Sequence, residues 1–310
     1  MAFSSHSSSC RRAPIGVVLS TAAAACIGAG AFAQSQVLVW GRADSGQTTP
    51  GSRTLLGCRL AAAGFDHTIV LRNDGSVAAW GLNMSGQTTV PSNLGTVVRI
   101  AGGGKHSMAL TAAGKVLVWG NNQYGQTSVP TEALSEIRAI SAGGYHSLAL
   151  TKNGCVIAWG DNSNGAANVP ADCSSGIVAI AGGDQHSLAL TTGGKVLAWG
   201  NPAGGATAVP TAALSGVKKI SASGGSSYAL KQDGTIVAWG RGVEGQLSVP
   251  AAYQNSYLSV GAGYRHSLAI TASNPWTNDP RNLLPSFTNY GFDLGTFEQW
   301  SIRHDRTPWS

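Results

Sequence analysis

The 310-residue chain is 43% apolar, 7% aromatic and only 11% charged, which excludes intrinsic disorder, since disordered chains combine low hydrophobicity with high charge. Forty-two glycines against twelve prolines, in no three-residue period, exclude collagen. The formal charge of +6 is too small and too dispersed for a nucleic-acid-binding face.

The chain opens with an address. Arg11-Arg12 precede an alanine-rich run from Ala13 to Gly30, and Ala31-Phe32-Ala33 places small residues at both positions that a signal peptidase reads. Residues 1–33 are expected to be a signal peptide cleaved before Gln34, which leaves +4 on the mature chain. Gly28, Gly30 and the many alanines make the run too weakly hydrophobic for a transmembrane anchor. The paired arginines leave twin-arginine export open, and Ala24-Ala25-Cys26 leaves lipoprotein acylation open. The expected location is periplasmic, cell-surface or extracellular. Export would place Cys58, Cys155 and Cys173 in an oxidising compartment, where an odd number leaves at least one unpaired.

From Gln36 to Thr271 everything follows one period. Trp-Gly recurs at Trp40, Trp80, Trp119, Trp159, Trp199 and Trp239, at intervals of 40, 39, 40, 40 and 40 residues. His67, His106, His146, His186, Ser226 and His266 open a second marker on the same beat, and Pro50, Pro91, Pro130, Pro170, Pro210 and Pro250 close each unit. One supersecondary unit has been copied six times, the signature of a solenoid or a propeller. Within the unit the alternation is β. The pattern predicts strand A at Ile137 to Ser141, strand B at His146 to Thr151, strand C at Cys155 to Trp159, and a short strand D around Asn168-Val169. Asp74-Gly75, Asn153-Gly154 and Asp233-Gly234 supply the positive φ angles of two-residue hairpin loops.

The ends of the array favour a ring. The chain enters the pattern as a C strand, Val37-Leu38-Val39-Trp40-Gly41, and leaves it as a B strand, Ser267-Leu268-Ala269-Ile270-Thr271. Pairing of these halves closes the circle and removes the exposed sheet edges, whereas an open solenoid needs polar capping repeats that the sequence lacks. The expected fold is therefore all-β: residues 34–271 form a six-bladed β-propeller of about 40-residue four-stranded repeats, closed by its N- and C-terminal strands.

The unit A-G-G-x-H-S-L-A-L-T-x-x-G-x-V-x-A-W-G-x-N-x-x-G-Q, carried by Ala142-Gly143-Gly144-Tyr145-His146 through Trp159-Gly160, resembles regulator-of-chromosome-condensation repeats from Gln36 to Thr271. Within that superfamily it is similar in style to exported bacterial propellers, including secreted β-lactamase inhibitory proteins. Their best-known members have seven blades; six are counted here.

Aromatic rings can stack on sugars or bases, but a tryptophan in every repeat fits packing between blades, each burial contributing roughly 1.5–3 kcal/mol. Histidines spread once per blade around a ring cannot converge on a metal, and Ser226 replaces one of the series, so a hydrogen bond at the start of strand B is expected instead. Ala109, Ala149, Ala189 and Ala229 read as small residues permitting close blade contact. No H-E-x-x-H, phosphate-cradling loop or strand-borne G-x-S-x-G occurs. The chain is expected to be no enzyme and to carry no cofactor or metal.

Sites are expected where the copies differ. In an antiparallel meander the A–B and C–D loops share one face, and its variable residues include Phe65, Lys105, Tyr124, Tyr145, Asp161, Arg241, Tyr264 and Arg265. Tyrosine and arginine are common anchors of protein interfaces. A disulfide between Cys155 and Cys173 is expected on the opposite face, leaving Cys58 free. From Ala272 the period stops. Pro275, Pro280 and Pro285 mark a linker over residues 272–289; Tyr290 to Ile302 then resembles the opening strand of a jelly-roll carbohydrate-binding module, so that residues 290–310 are expected to be the truncated start of such a module or a disordered tail.

The expected function is binding of an unidentified protein by an exported, monomeric, non-enzymatic propeller through its A–B/C–D loop face, with no nucleic acid and no membrane span in the mature form. The alternatives are a secreted enzyme inhibitor of the β-lactamase inhibitory type, a cell-wall or polysaccharide-binding protein, and nucleotide exchange on a small GTPase, which the signal peptide disfavours.

Overall fold

The computed structural model describes residues 44–49, 57–251, 254–264 and 266–271. The leader, the entering strand at 37–41, the linker and the tail lie outside the described residues, as does Arg265. Repeat 1 comprises β1 (Cys58–Ala63), β2 (His67–Arg72) and β3 (Val77–Gly81), and repeat 2 comprises β4 (Val97–Gly102), β5 (His106–Thr111) and β6 (Val116–Gly120). Repeat 3 has β7 (Ile137–Ala142), β8 (His146–Thr151) and β9 (Val156–Gly160), and repeat 4 has β10 (Ile177–Gly182), β11 (His186–Thr191) and β12 (Val196–Gly200). Repeat 5 has β13 (Val217–Ser223), β14 (Ser226–Lys231) and β15 (Ile236–Gly240), and β16 (Tyr257–Ala262) with β17 (Ser267–Thr271) forms a sixth, two-stranded sheet. Every pairing is antiparallel, in the order A–B–C, with the register of strand A shifting after its first residue in each repeat.

Three strands, not four, make each complete sheet. The expected strand D at Asn168-Val169 is a run of turns, because its donors are spent locally: Asn168 N–H bonds Gly165 O and Val169 N–H bonds Ala167 O. Pro170 then leads into a single-turn 3-10 helix, Ala171–Cys173. The B–C hairpins also differ from expectation. Only the glycine of each pair is left-handed, as at Gly154 (φ 81°), and Gly154 N–H bonds Thr151 O at 3.0 Å. This is a turn closed by a left-handed glycine rather than a two-residue loop.

Apart from a small cluster of Cys58, Ala61 and Val70 within repeat 1, the apolar clusters of the described residues lie between repeats. One joins Met108, Leu110 and Val116 of repeat 2 to Ile137, Ile140, Ala149 and Trp159 of repeat 3. The equivalent sets join repeats 1 and 2, 3 and 4, and 4 and 5. The alanines of strand B are fully buried at these joints, where the small side chain admits the neighbouring leucine or methionine. Strands A pack successively, β1 on β4, β7, β10, β13 and β16, which places them innermost. Among the described residues no contact of like extent runs from β16 back to β1.

The invariant-looking residues form the joint itself. The Trp159 Nε1–H and the Ser147 hydroxyl both donate to Gln126 O of the preceding repeat, each at 2.9 Å. The same pair of bonds reaches Gln87 O from Trp119 and Ser107, Ala166 O from Trp199 and Ser187, and Ala206 O from Trp239 and Ser227. Each serine also meets the preceding repeat's imidazole: His67 Nε2 lies 3.0 Å from Ser107 Oγ, and His146 and His186 make the equivalent contacts at 2.9 Å. Since the hydroxyl proton goes to the carbonyl, the imidazole must donate from Nε2, leaving Nδ1 as an acceptor. The Nδ1 atoms of His67 and His106 are buried and accept no hydrogen bond.

This geometry explains the glycines of the repeat. The His146 ring lies over Gly143, where a Cβ would come within 2.1 Å of Cε1. Gly160, after the tryptophan, has φ 102°, and a Cβ there would lie 2.7 Å from Tyr145 O.

Candidate functional site

The A–B and C–D loops are tied together on one face. The first residue of each C–D loop donates its N–H to the residue before the histidine position: Leu82 to Asp66 O, Asn121 to Lys105 O, Asp161 to Tyr145 O, Asn201 to Gln185 O and Arg241 to Gly225 O. A second chain of backbone bonds runs between equivalent residues of successive A–B loops, from Phe65 N–H to Gly104 O, Gly104 to Gly144, Gly144 to Asp184 and Asp184 to Gly224. These loops therefore converge, and their side chains meet although they come from distant repeats.

Four expected residues form a continuous edge-to-face chain of rings. Tyr124 meets Tyr145 at 5.5 Å between centroids, Tyr145 meets Phe65 at 6.2 Å, and Phe65 meets Tyr264 at 5.5 Å. The Phe65 ring lies over Gly104. Tyr124 and Tyr264 remain exposed. Burial and then the nearby Asp184 carboxylate raise the Tyr145 hydroxyl above its ordinary pKa, so it stays protonated and can donate.

The other expected residues lie around this chain without joining it. Lys105 is exposed on its loop. Asp161 has a local task as well as its place beside Tyr145, since its Oδ1 accepts Ser163 N–H at 2.9 Å. Arg241 is exposed and faces Glu244 at 3.5 Å.

Met84, one of the variable C–D loop residues read from the sequence, is 89% exposed. Sequence reasoning missed two features of this face. Val243, four residues after its tryptophan as Met84 is, is 74% exposed at the equivalent loop tip; the matching position was the available signal. A cavity of about 260 Å³ also opens between repeats 4 and 5, lined by Asp184, Gln185, Asn201, Gly225, Arg241 and Tyr264 among others.

The expected disulfide is not formed. Cys155 and Cys173 are both free thiols. Cys173 is packed against Leu148, Leu150, Val156 and Ile177, whereas Cys155 Sγ turns to Val156 O at 3.7 Å. Burial, then Asp172 and Cys155, push the Cys173 thiol up to about 11.

The histidine series is buried and neutral. Desolvation lowers His67 and His146 to about 4, and His106 and His186 to about 3, with neighbouring histidines adding to the shift at His106 and His186. At His67 and His106, protonating Nδ1 would also create a buried donor without an acceptor. Among the described residues no group of three or more His, Cys, Asp or Glu side chains could hold a metal ion.

Interblade joints and converging inner loops define a β-propeller of repeated units. Five segments, residues 60–87, 97–126, 137–166, 177–205 and 217–246, match the Regulator of chromosome condensation (RCC1) repeat. The chain therefore carries five repeats of the RCC1 kind. Yeast RCC1 (Prp20), solved bound to Kap60, superposes with a TM-score of 0.58 at 21% identity, over 69% of this chain and 68% of that one. Prp20p from Saccharomyces cerevisiae, studied for its binding to Gsp1p and histones, gives 0.58 at 22% identity over 69% and 70%. The CRINKLY ectodomain of the Arabidopsis thaliana receptor kinase ACR4 gives 0.54 at 20% identity over 66% and 77%. Likeness at these identities establishes the fold alone. No curated protein matches the sequence.

Proposed function

We propose that the chain is an exported, non-enzymatic propeller that binds a protein through its A–B/C–D loop face. The chain of four rings contributed by repeats 1, 2, 3 and 6 carries this reading. The repeat does not require those rings, since Gly104, Gly144 and Gly224 stand where Phe65 and Tyr264 do. Exposed Met84 and Val243 extend the apolar area outward, as in a recognition surface with aromatic anchors. Yeast RCC1 bound to Kap60 offers a protein-binding precedent on the same fold.

The proposed ring has six blades, with residues 37–41 completing the sheet of β16 and β17. Two observations support closure. Phe65 of repeat 1 touches Tyr264 of repeat 6. Gln47 O accepts from Trp80 Nε1 at 2.8 Å and from Thr68 Oγ1 at 3.1 Å, so the segment 44–49 docks on repeat 1 as each C–D loop docks on the next repeat. Export rests on the leader pattern of residues 1–33, and sequencing of the secreted protein should begin at Gln34.

The test is capture of extracellular proteins on the immobilised mature chain, wild type against a variant with Tyr124, Tyr145, Tyr264 and Arg241 changed to alanine, both with confirmed folding. A partner retained by the first and lost by the second supports the reading; equal recovery removes it. Inhibition of a penicillin-hydrolysing enzyme, binding on a glycan array, or accelerated nucleotide release from a small GTPase would each replace it with one of the alternatives.

A further inference from the structure

Charge that is spread along the sequence is sorted by the fold. The B–C hairpins and the connections leading into strand A make up the face opposite the converging loops, and backbone bonds hold them together. Lys152 N–H bonds Glu136 O within repeat 3, and Ile137 N–H reaches back to Gly114 O on the preceding hairpin, as Ile177, Val217 and Tyr257 do to Gly154, Gly194 and Gly234. Of the twelve lysines and arginines among the described residues, ten lie on or beside this hairpin face, and the loop face has the other two, Lys105 and Arg241. The ten acids among the described residues divide five to each face. The described residues thus give the hairpin face a formal +5 and the loop face −3.

The cations fall into two sets. Each complete hairpin carries one, at Arg72, Lys115, Lys152, Lys195 and Lys231 in turn. Nearer the centre, the register shift at the start of strand A leaves one residue of every repeat outside the ladder: Arg59, Val98, Arg138, Val178, Lys218 and Leu258. Cation and aliphatic side chains therefore alternate along the innermost strands. Arg59 Nη2 donates to Val98 O at 3.1 Å and the Arg138 guanidinium donates to Ile177 O, so both charges are fixed at this edge while their remaining N–H groups stay available. Of the five acids, Glu136 is taken up by Lys152, and Asp74 and Asp233 accept backbone N–H bonds from Ser76 and Thr235 within their own turns.

The same face also exposes aliphatic side chains. Leu134 and Leu214 stand outward at the ends of single-turn 3-10 helices whose preceding residues, Ala133 and Ala213, are buried, and Val178 is exposed at its strand start. A soluble polyanion would use the cations and leave these side chains in water. An anionic bilayer accommodates both, since lysine and arginine sit at the headgroups while short aliphatic groups enter the acyl boundary.

We infer that the hairpin face docks on an anionic phospholipid surface, with its cations at the headgroups and Leu134, Val178 and Leu214 at the acyl boundary. The inference goes beyond the protein-binding reading, because it concerns the opposite face. A bilayer held there leaves the exposed Tyr124 and Tyr264 turned towards solvent and a partner.

The test is co-sedimentation of the mature chain with vesicles of phosphatidylglycerol and phosphatidylcholine, and with vesicles of phosphatidylcholine alone. The protein should bind the first at low salt, be released at high salt, and ignore the second. Each cation removed should weaken binding roughly fivefold, so changing the exposed Lys115, Lys195 and Lys218 together to glutamine should cost roughly 100-fold. Leu134→Ser with Leu214→Ser should cost roughly 10-fold. Tryptophan fluorescence checks that each variant is folded. The variant with Tyr124, Tyr145, Tyr264 and Arg241 changed to alanine should bind vesicles as the wild type does, which separates this surface from the loop face: loss of partner capture with vesicle binding intact supports both readings, and vesicle binding without any capture removes only the protein-binding one. Equal binding to both kinds of vesicle, unchanged affinity in the lysine variant or the leucine variant, retention on heparin without binding to vesicles, or no binding at all would each overturn the inference.

Discussion

Mild acid should unfold this protein, and the histidine joints say by how much. His67, His106, His146 and His186 ionise at about 3 to 4 in the fold against an ordinary value of 6.5. Between those values the unfolded chain binds more protons than the native one, so stability falls as pH falls below 6.5 and levels off only below the folded values. Each group contributes a slope of about 1.4 kcal/mol per pH unit, or about 5 kcal/mol for four. At pH 5 each has lost roughly 2 kcal/mol and the set roughly 8 kcal/mol, comparable to the whole stability of a typical domain at about 5–15 kcal/mol. Urea unfolding followed by tryptophan fluorescence at pH 7.5, 6 and 5 measures this directly. Repeat 5 provides the control, because Ser226 replaces the histidine there and Tyr228, two residues on, donates its hydroxyl to Gln246 O at 3.0 Å beside Ser267. Writing the same pair into repeat 3 as His146→Ser with Leu148→Tyr should cut the slope by about a quarter. His146→Ser alone leaves a void and Leu148→Tyr alone overpacks, so the two changes should show coupling of about 1–3 kcal/mol. Equal stability at pH 7.5 and pH 5, or an unaltered slope in the double variant, refutes the argument.

Three further outcomes follow from single residues. Trp159→Phe keeps most of the buried ring but removes the donor to Gln126 O, and calorimetry should show a loss of about 1–2 kcal/mol. Glu136 is left-handed at φ 58° where Gly57, Gly176 and Gly216 occupy the equivalent position. Glu136→Gly should therefore stabilise by about 0.5–1 kcal/mol in urea, since its exposed ion pair with Lys152 contributes little; a destabilised variant would count against the strain. Iodoacetamide on the folded protein at pH 8 should label the partly exposed Cys155 and spare the buried Cys58 and Cys173, while all three react in urea; equal labelling of Cys173 in the native state would contradict its burial.

Strands B and C were legible in the sequence to within a residue, because their alternation and glycine turns are local signals. Strand D was not, since Asn168-Val169 alternates like a strand while Asn162 Oδ1 takes Ala167 N–H and the next donors close on Gly165 and Ala167. Sharing of one carbonyl by Trp159 and Ser147 could not be read from spacing, although packing of the tryptophan between repeats could. The aromatic chain was foreseen as a list of variable loop residues. Its continuity depends on inner loops bringing Phe65 and Tyr145 together from alternate repeats. The cavity escaped notice because it is made by the small residues Ala206 and Gly225, and attention to variable positions favours large ones. The Cys155–Cys173 pairing failed because strand position says nothing about whether Sγ turns inward or along the chain.

The joint between repeats is directional: one side offers a carbonyl and an imidazole, the other an indole and a hydroxyl. Such a head-to-tail surface has only two ways to be satisfied, by a circle within the molecule or by a neighbouring copy. In the proposed closed ring, loss of the entering segment would expose both complementary ends at once, and the characteristic failure would be growth into filaments rather than simple unfolding.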